Sequence, residues 1–200
     1  MKPNDVISFI GLGKLGLPLA ACIAESGKKV LCIDKNEYVL DTLAEGKLPF
    51  YEPGLEDLFN SCKDNFIGFS DCYKDVIDKT DTTIILVNTQ MGDNGYSSEF
   101  VESALSDLAV NLKRSNKPYH TILLSSTVLP GEIKKKLIPL VERISKRKFG
   151  EGFGFAYVPD FVKLGSVIKD FKNPEFFLVG AETVKDYHVA HSCFAGIHHN

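Results

Sequence analysis

The 200 residues are 44% hydrophobic and 24% charged, which excludes a disordered, collagen-like or coiled-coil chain and fits one full domain. A formal charge of −3 provides no basic field for a nucleic-acid backbone. The first residues do not read as a signal peptide, and no stretch reaches the ~18 apolar residues of a membrane helix. The expectation is a cytoplasmic protein with neither nucleic-acid nor membrane partners.

Val6-Ile7-Ser8-Phe9-Ile10 is a short, β-branched apolar run ended by Gly11, which predicts a buried strand. Residues 14–26 are rich in Ala and Leu and stop at Gly27, as a helix does. Val30-Leu31-Cys32-Ile33, closed by Asp34, predicts a second buried strand, so the first 34 residues form a βαβ unit with parallel strands. Helices are predicted over 37–45 and 55–61, separated by a turn-rich connector at 48–54. Further strands are predicted at 66–69, 82–87 and 121–124, and helices at 71–78, 98–114 and 131–146. Late strands at 153–157 and 176–179 and a helix over 182–195 complete the pattern. Alternating strands and helices indicate an α/β, doubly wound, mainly parallel sheet flanked by helices, in one domain spanning 1–200.

Gly11-Leu12-Gly13-Lys14-Leu15-Gly16 is a G-x-G-x-x-G run between the first strand and the first helix. Gly11 permits a tight turn, Gly13 lets main-chain amides approach a diphosphate, and Gly16 lets the helix pack closely. The helix N-terminus adds unsatisfied N–H donors and the positive end of a dipole. Asp34, at the end of the second strand, is placed to accept hydrogen bonds from ribose hydroxyls and to repel a 2′-phosphate. The reading is a Rossmann-like domain that takes NAD in preference to NADP, a preference that the adjacent Lys35 weakens a little. The alternative is that the glycines only shape a sharp turn and Asp34 caps the next helix.

The segments GLGKLGLPLA (11–20), PFYEPGLEDL (49–58), VNT (87–89), SSTVLPGE (125–132) and VPDFVKLGSVIKDFKNPEFFLVG (158–180) resemble the UDP-glucose/GDP-mannose dehydrogenase family. The resemblance is strongest to its UDP-glucose 6-dehydrogenase branch and covers the N-terminal, NAD-binding half. It implies oxidation of a sugar 6-hydroxymethyl to a carboxylate, through an aldehyde and a cysteine thioester, with NAD as hydride acceptor. Residues matching Val87, Asn88 and Thr89 through Met91 line the dinucleotide in the family, and those matching Ser126, Thr127 and Val128 lie near its nicotinamide end. The resemblance implies catalytic roles for Asp160 and Thr127 and a substrate-binding segment Asp160, Phe161, Val162, Lys163, Leu164. Asp160 takes the place of the family's catalytic glutamate, Val158 that of an asparagine, and Leu164 that of a second glutamate. Gln90 replaces a proline and Val39 an arginine. Asp160 could instead pair with Lys163 at the surface.

The family's central helix, its substrate domain and its nucleophilic cysteine are expected to be absent from these residues. Ser192-Cys193-Phe194 imitates the nucleophile's setting without its glycines, so Cys193 is read as a free thiol on a helix. The partners implied are NAD and, if a C-terminal half is supplied, a nucleotide sugar such as UDP-glucose, with homo-oligomers compatible. A non-catalytic dinucleotide-binding module or assembly partner is the alternative function.

Cys22, Cys32, Cys62, Cys72 and Cys193 are an odd set without metal-like spacing and read as reduced thiols. His188, His191, Cys193, His198 and His199 cluster near the end of the chain, but no metal site is expected. Lys134, Lys135, Lys136, Arg143, Lys146, Arg147 and Lys148 read as a solvated basic face. Ser125 or Ser126 with His120 lacks the G-x-S-x-G elbow of a hydrolase.

Overall fold

Short β-branched runs separated by amphipathic stretches fold into a single wound sheet in the computed structural model, which describes residues 6–92 and 95–197. The chain runs β1 (Val6–Ile10), α1 (Gly16–Glu25), β2 (Lys29–Ile33), α2 (Glu37–Ala44), α3 (Leu55–Cys62), β3 (Phe66–Ser70), α4 (Tyr73–Lys79) and β4 (Thr82–Ile85). A hairpin of β5 (Gln90–Gly92) and β6 (Gly95–Ser97) leads to α5 (Glu99–Arg114) and β7 (Thr121–Leu124). Next come α6 (Ile138–Ser145), β8 (Gly154–Tyr157), α7 (Val167–Lys172), β9 (Gly180–Ala181) and α8 (Val184–Phe194).

The sheet order is β3-β2-β1-β4-β7-β8-β9. The first six strands are parallel and β9 runs antiparallel to β8. Side chains alternate between two cores, as strand periodicity requires. Phe9, Cys32, Ile84, Leu123 and Ala156 face the core under α1, α3, α7 and α8. Ile10, Ile33, Ile85, Leu124 and Phe155 face the core under α4, α5 and α6. From β1 the chain winds outward through β2 and β3, then returns to β4 on the other side. The crevice beyond β1 and β4 is therefore the topological switch point, where doubly wound sheets bind ligands.

Several elements differ from the sequence expectation. The strand expected at 176–179 is extended chain without a ladder. Phe177 and Val179 pack inward and Phe176 and Leu178 face out, but pairing begins only at Gly180–Ala181. The helix expected over 131–146 opens with a π-helical turn at Ile133–Leu137 and ends at Lys146, whose φ of 61° is left-handed. The hairpin β5–β6 and the short helix α7 carry too few residues to show a period.

Candidate functional site

The Gly11–Gly16 loop crosses the head of β1, and its glycines meet different surroundings. Gly11 has φ +98°, and a Cβ there would lie 2.3 Å from the Leu86 carbonyl oxygen. A Cβ on Gly16 would lie 1.9 Å from the Gly11 carbonyl oxygen. These two glycines are demanded by the chain's own packing. A Cβ on Gly13 would meet no atom within 4 Å, because Gly13 faces an open cleft. In the first turn of α1 the Leu17 and Leu19 amides already donate to the Gly13 and Leu15 carbonyls and Pro18 has none, so the donors left beside this space are those of Gly13–Gly16.

Asp34 closes one end of the cleft. Its Oδ2 accepts from the Leu12 amide at 2.6 Å and its Oδ1 from the Asn36 amide at 2.9 Å. The carboxylate thus ties the end of β2 to the glycine loop. The neighbouring Lys35 ammonium is engaged 2.8 Å from Asp107 Oδ2 and 2.9 Å from Ser103 Oγ.

The heads of β4 and β7 form the cleft floor. The Ser126 hydroxyl accepts from the Val87 amide at 2.8 Å and donates to the Val87 carbonyl at 2.9 Å, pinning the two strand ends together. Thr89 Oγ1 donates to the Thr127 carbonyl at 3.3 Å. Val87, Asn88, Thr89, Ser126 and Thr127 line the cleft. Val128 does not; it packs against the core under α5 and α6. Ser125, which the sequence suggests only as a hydrolase candidate to be set aside, also lines the cleft. It is 5% exposed, and its hydroxyl has no partner among the described residues.

Beyond β8, Asp160 and Leu164 reach the cleft, whereas Phe161, Val162 and Lys163 do not line it. Phe161 packs against Phe176 with ring centroids 4.5 Å apart and the planes tilted by 52°, and Val162 packs into the core under α1. The Lys163 amide donates to Asp170 Oδ2 at 3.0 Å. No ion pair joins Lys163 to Asp160 among the described residues. Asp160 Oδ2 is buried without a partner, and burial pushes this carboxyl up to about 8. At neutral pH it is largely protonated and can donate a hydrogen bond.

The cleft encloses about 960 Å³, at the upper end for small-molecule sites. Its far wall comes from Tyr73, Tyr96, Phe100, Ser103 and Ala104, which the sequence reading did not single out. Phe100, Ser103, Ala104 and the Lys35 partner Asp107 recur at i, i+3, i+4 and i+7, a single face of α5. That spacing was the available signal, but nothing in the sequence says which face meets the switch point.

The remaining sequence candidates lie elsewhere. Cys193 is buried on α8, where burial pushes its thiol up to about 12. His120 precedes β7 and its Nε2 bonds Thr83 Oγ1 at 2.7 Å. Ser125 and Ser126 follow the opposite end of that strand, at least ~16 Å away at ~3.3 Å per residue. The described residues contain no cluster fit for a metal ion; His198 and His199 lie outside them. Lys134, Lys136 and Lys148 pair with Glu182, Glu102 and Glu142, and Arg147 brackets the main chain at Ser115 and Lys117. No helix among the described residues is long and apolar enough to cross a membrane.

These features fit a dinucleotide. Gly13 leaves a cradle that a Cβ would intrude upon, the Gly13–Gly16 turn entering α1 leaves amides for a diphosphate, and Ser125 and Asp160 offer unpartnered polar atoms further along the cleft. Comparison with known proteins agrees. Residues 5–198 match the model of the UDP-glucose/GDP-mannose dehydrogenase family, NAD binding domain. A GDP-mannose 6-dehydrogenase of Pseudomonas putida is 34% identical over 177 residues, which are 87% of this chain and 40% of that protein. A UDP-glucose 6-dehydrogenase of Haloferax volcanii is 30% identical over 94% of this chain and 44% of its own length. The crystal structure of a ternary complex of GDP-mannose dehydrogenase from Pseudomonas aeruginosa superposes with a TM-score of 0.89 at 28% identity, covering 94% of this chain and 43% of that one. The chain thus spans about two fifths of the length of these relatives.

Proposed function

The chain belongs to the UDP-glucose/GDP-mannose dehydrogenase family, as its NAD-binding domain, and we propose that it holds NAD in the switch-point cleft as the hydride-accepting half of a nucleotide-sugar 6-dehydrogenase. The observation that carries this reading is Gly13, whose missing side chain serves no contact within the protein and leaves room only for something outside it. In this reading the amides of Gly13–Gly16 bind the diphosphate, with Gly11 and Leu12 shaping the turn. Asp34 accepts from the adenosine ribose and disfavours a 2′-phosphate. Val87, Asn88, Thr89, Ser126 and Thr127 form the floor, with Ser126 acting by pinning β4 to β7. When bound, NAD supplies the hydride acceptor for oxidation at the sugar C6; the chain's own residues bind and orient it.

Asp160, Thr127 and Leu164 stand at the end of the cleft assigned to the nicotinamide and the sugar. The buried Asp160 carboxyl is protonated at neutral pH and so acts first as a hydrogen-bond donor; it becomes a general base only as the pH approaches 8. A thioester step needs an accessible thiolate. Cys22, Cys62 and Cys193 are buried, with thiols pushed up to about 12, about 11 and about 12, and burial pushes Cys32 up as well. The exposed Cys72 does not line the cleft. The 200 residues are therefore proposed to bind NAD without turning over a nucleotide sugar, the nucleophile coming from sequence of the kind that makes up the rest of the relatives' length. Free thiols are what a reducing cytoplasm maintains. Incubation with NAD and either UDP-glucose or GDP-mannose should yield no NADH, while calorimetry shows NAD binding. NADH formation by this chain alone would refute the division of labour, and absence of NAD binding would refute the reading itself.

A further inference from the structure

The connector between α2 and α3 carries a buried acid that the proposed function leaves unused. Glu52-Pro53-Gly54-Leu55 is a type II turn: Pro53 occupies the second position, Gly54 has φ 79° and ψ −5°, and the Leu55 amide donates to the Glu52 carbonyl at 3.0 Å. The turn fixes the Glu52 side chain, which is 6% exposed. Glu52 Oε1 accepts from the Val167 amide at 3.0 Å, and Oε2 accepts from the Gly165 amide at 3.1 Å. Both partners lie more than 110 residues along the chain, at the end of the loop that carries Asp160 and Leu164. Gly165, with φ +88°, is itself exposed. One carboxylate thus takes up two main-chain donors where the loop turns into α7, and the isosteric amide could accept only one of them.

We propose that Glu52 is a positioning residue that fastens the 160–166 loop against the core, so that Asp160 and Leu164 form the cleft wall at the nicotinamide end of a bound dinucleotide. The inference rests on the NAD reading for the identity of the ligand, but not for the brace. Among the described residues Glu52 hydrogen-bonds neither the glycine loop nor Asp34, so its loss should spare the adenosine and diphosphate contacts.

The test pairs Glu52→Gln with two ligands, NAD and ADP-ribose, which lacks the nicotinamide, and with amide hydrogen exchange. In the unmutated protein the exposed Gly165 should exchange slowly and NAD should bind more tightly than ADP-ribose. In the variant whichever of the Gly165 and Val167 amides loses its acceptor should exchange about tenfold faster, the factor equivalent to about 1.4 kcal/mol for one bond to a charged acceptor. Its NAD affinity should fall severalfold towards that of ADP-ribose, with ADP-ribose affinity within twofold of the original. Parallel loss of both ligands would mark a merely structural role and overturn the proposal, as would unchanged exchange at 165–167. Should the variant not fold, the unmutated protein still decides, since a fast-exchanging Gly165 amide or equal affinity for the two ligands overturns it. If neither ligand binds the unmutated protein, the NAD reading fails, and the exchange data alone then judge the brace.

Discussion

Replacing Gly13 by alanine should separate binding from folding. The position lies outside the left-handed region of φ and an added Cβ meets nothing within 4 Å, so the protein should keep its stability or gain about 0.4–1 kcal/mol through a stiffer unfolded chain. A diphosphate seated on the loop amides must occupy the space that the methyl group enters. Losing one charge-assisted hydrogen bond costs about 1.5–3 kcal/mol. At ~1.4 kcal/mol per decade, NAD affinity should fall roughly 10- to 100-fold, and further for Gly13→Val. Gly16→Ala is the opposite case. Its Cβ would sit 1.9 Å from the Gly11 carbonyl oxygen, so main chain must move by about an ångström, at a cost of about 3 kcal/mol or more. At ~2–4 °C per kcal/mol for a chain this long, its Tm should drop by about 6–12 °C. Thermal melts and calorimetry on the two variants read both quantities. Wild-type NAD affinity in Gly13→Ala, or a collapse of its Tm, would refute the argument that this glycine exists for a ligand.

The unmutated protein should bind NAD at least about tenfold more tightly than NADP, because a 2′-phosphate would meet the Asp34 carboxylate. Asp34→Ala should narrow that gap while weakening NAD itself, since it also releases the Leu12 amide; equal affinity for NAD and NADP in the unmutated protein would remove the ribose assignment. The Asp160 carboxyl, raised to about 8 against ~3.9 in an unfolded chain, keeps a proton in the folded state that the unfolded state has lost. Stability should therefore decline from about pH 4 to about pH 8, by on the order of 2 kcal/mol after allowance for solvent around a half-buried residue, and level off above. Asp160→Asn should abolish the decline; urea midpoints at pH 5, 7 and 9 that run parallel in both proteins would contradict the burial of this carboxyl. Iodoacetamide should label Cys72 alone under native conditions, and rapid labelling of Cys193 would contradict its place in the core.

The first crossover was legible because its physics is local. A β-branched run, three glycines and an acid at the end of the next strand lie within one short stretch of chain, and the same spacing fits the packing of Gly11 and Gly16. Strand order was legible in kind, since parallel strands need crossovers, but the antiparallel β9 was not. Its two residues pair with β8 only after Phe177 and Val179 have found the core. Ser125 and Ser126 show the limit of reading by motif. Adjacent in sequence, they differ by which hydroxyl the fold occupies: Ser126 is bound twice to Val87, while Ser125 is left facing the cleft. The wall from α5 and the tie from Glu52 were invisible for the same reason, as each depends on contacts between segments far apart in the chain. Asp160 was legible only through resemblance; its lack of a cation partner among the described residues and its raised proton affinity go with burial that no local pattern announces.

The most direct test is a crystal structure of the chain grown with saturating NAD. The account expects the diphosphate over the Gly13–Gly16 amides, the adenosine ribose hydroxyls on Asp34, and the nicotinamide toward Ser125 and Asp160. An empty cleft, or a dinucleotide lying in the reverse sense with its adenine beside Asp160, would contradict it.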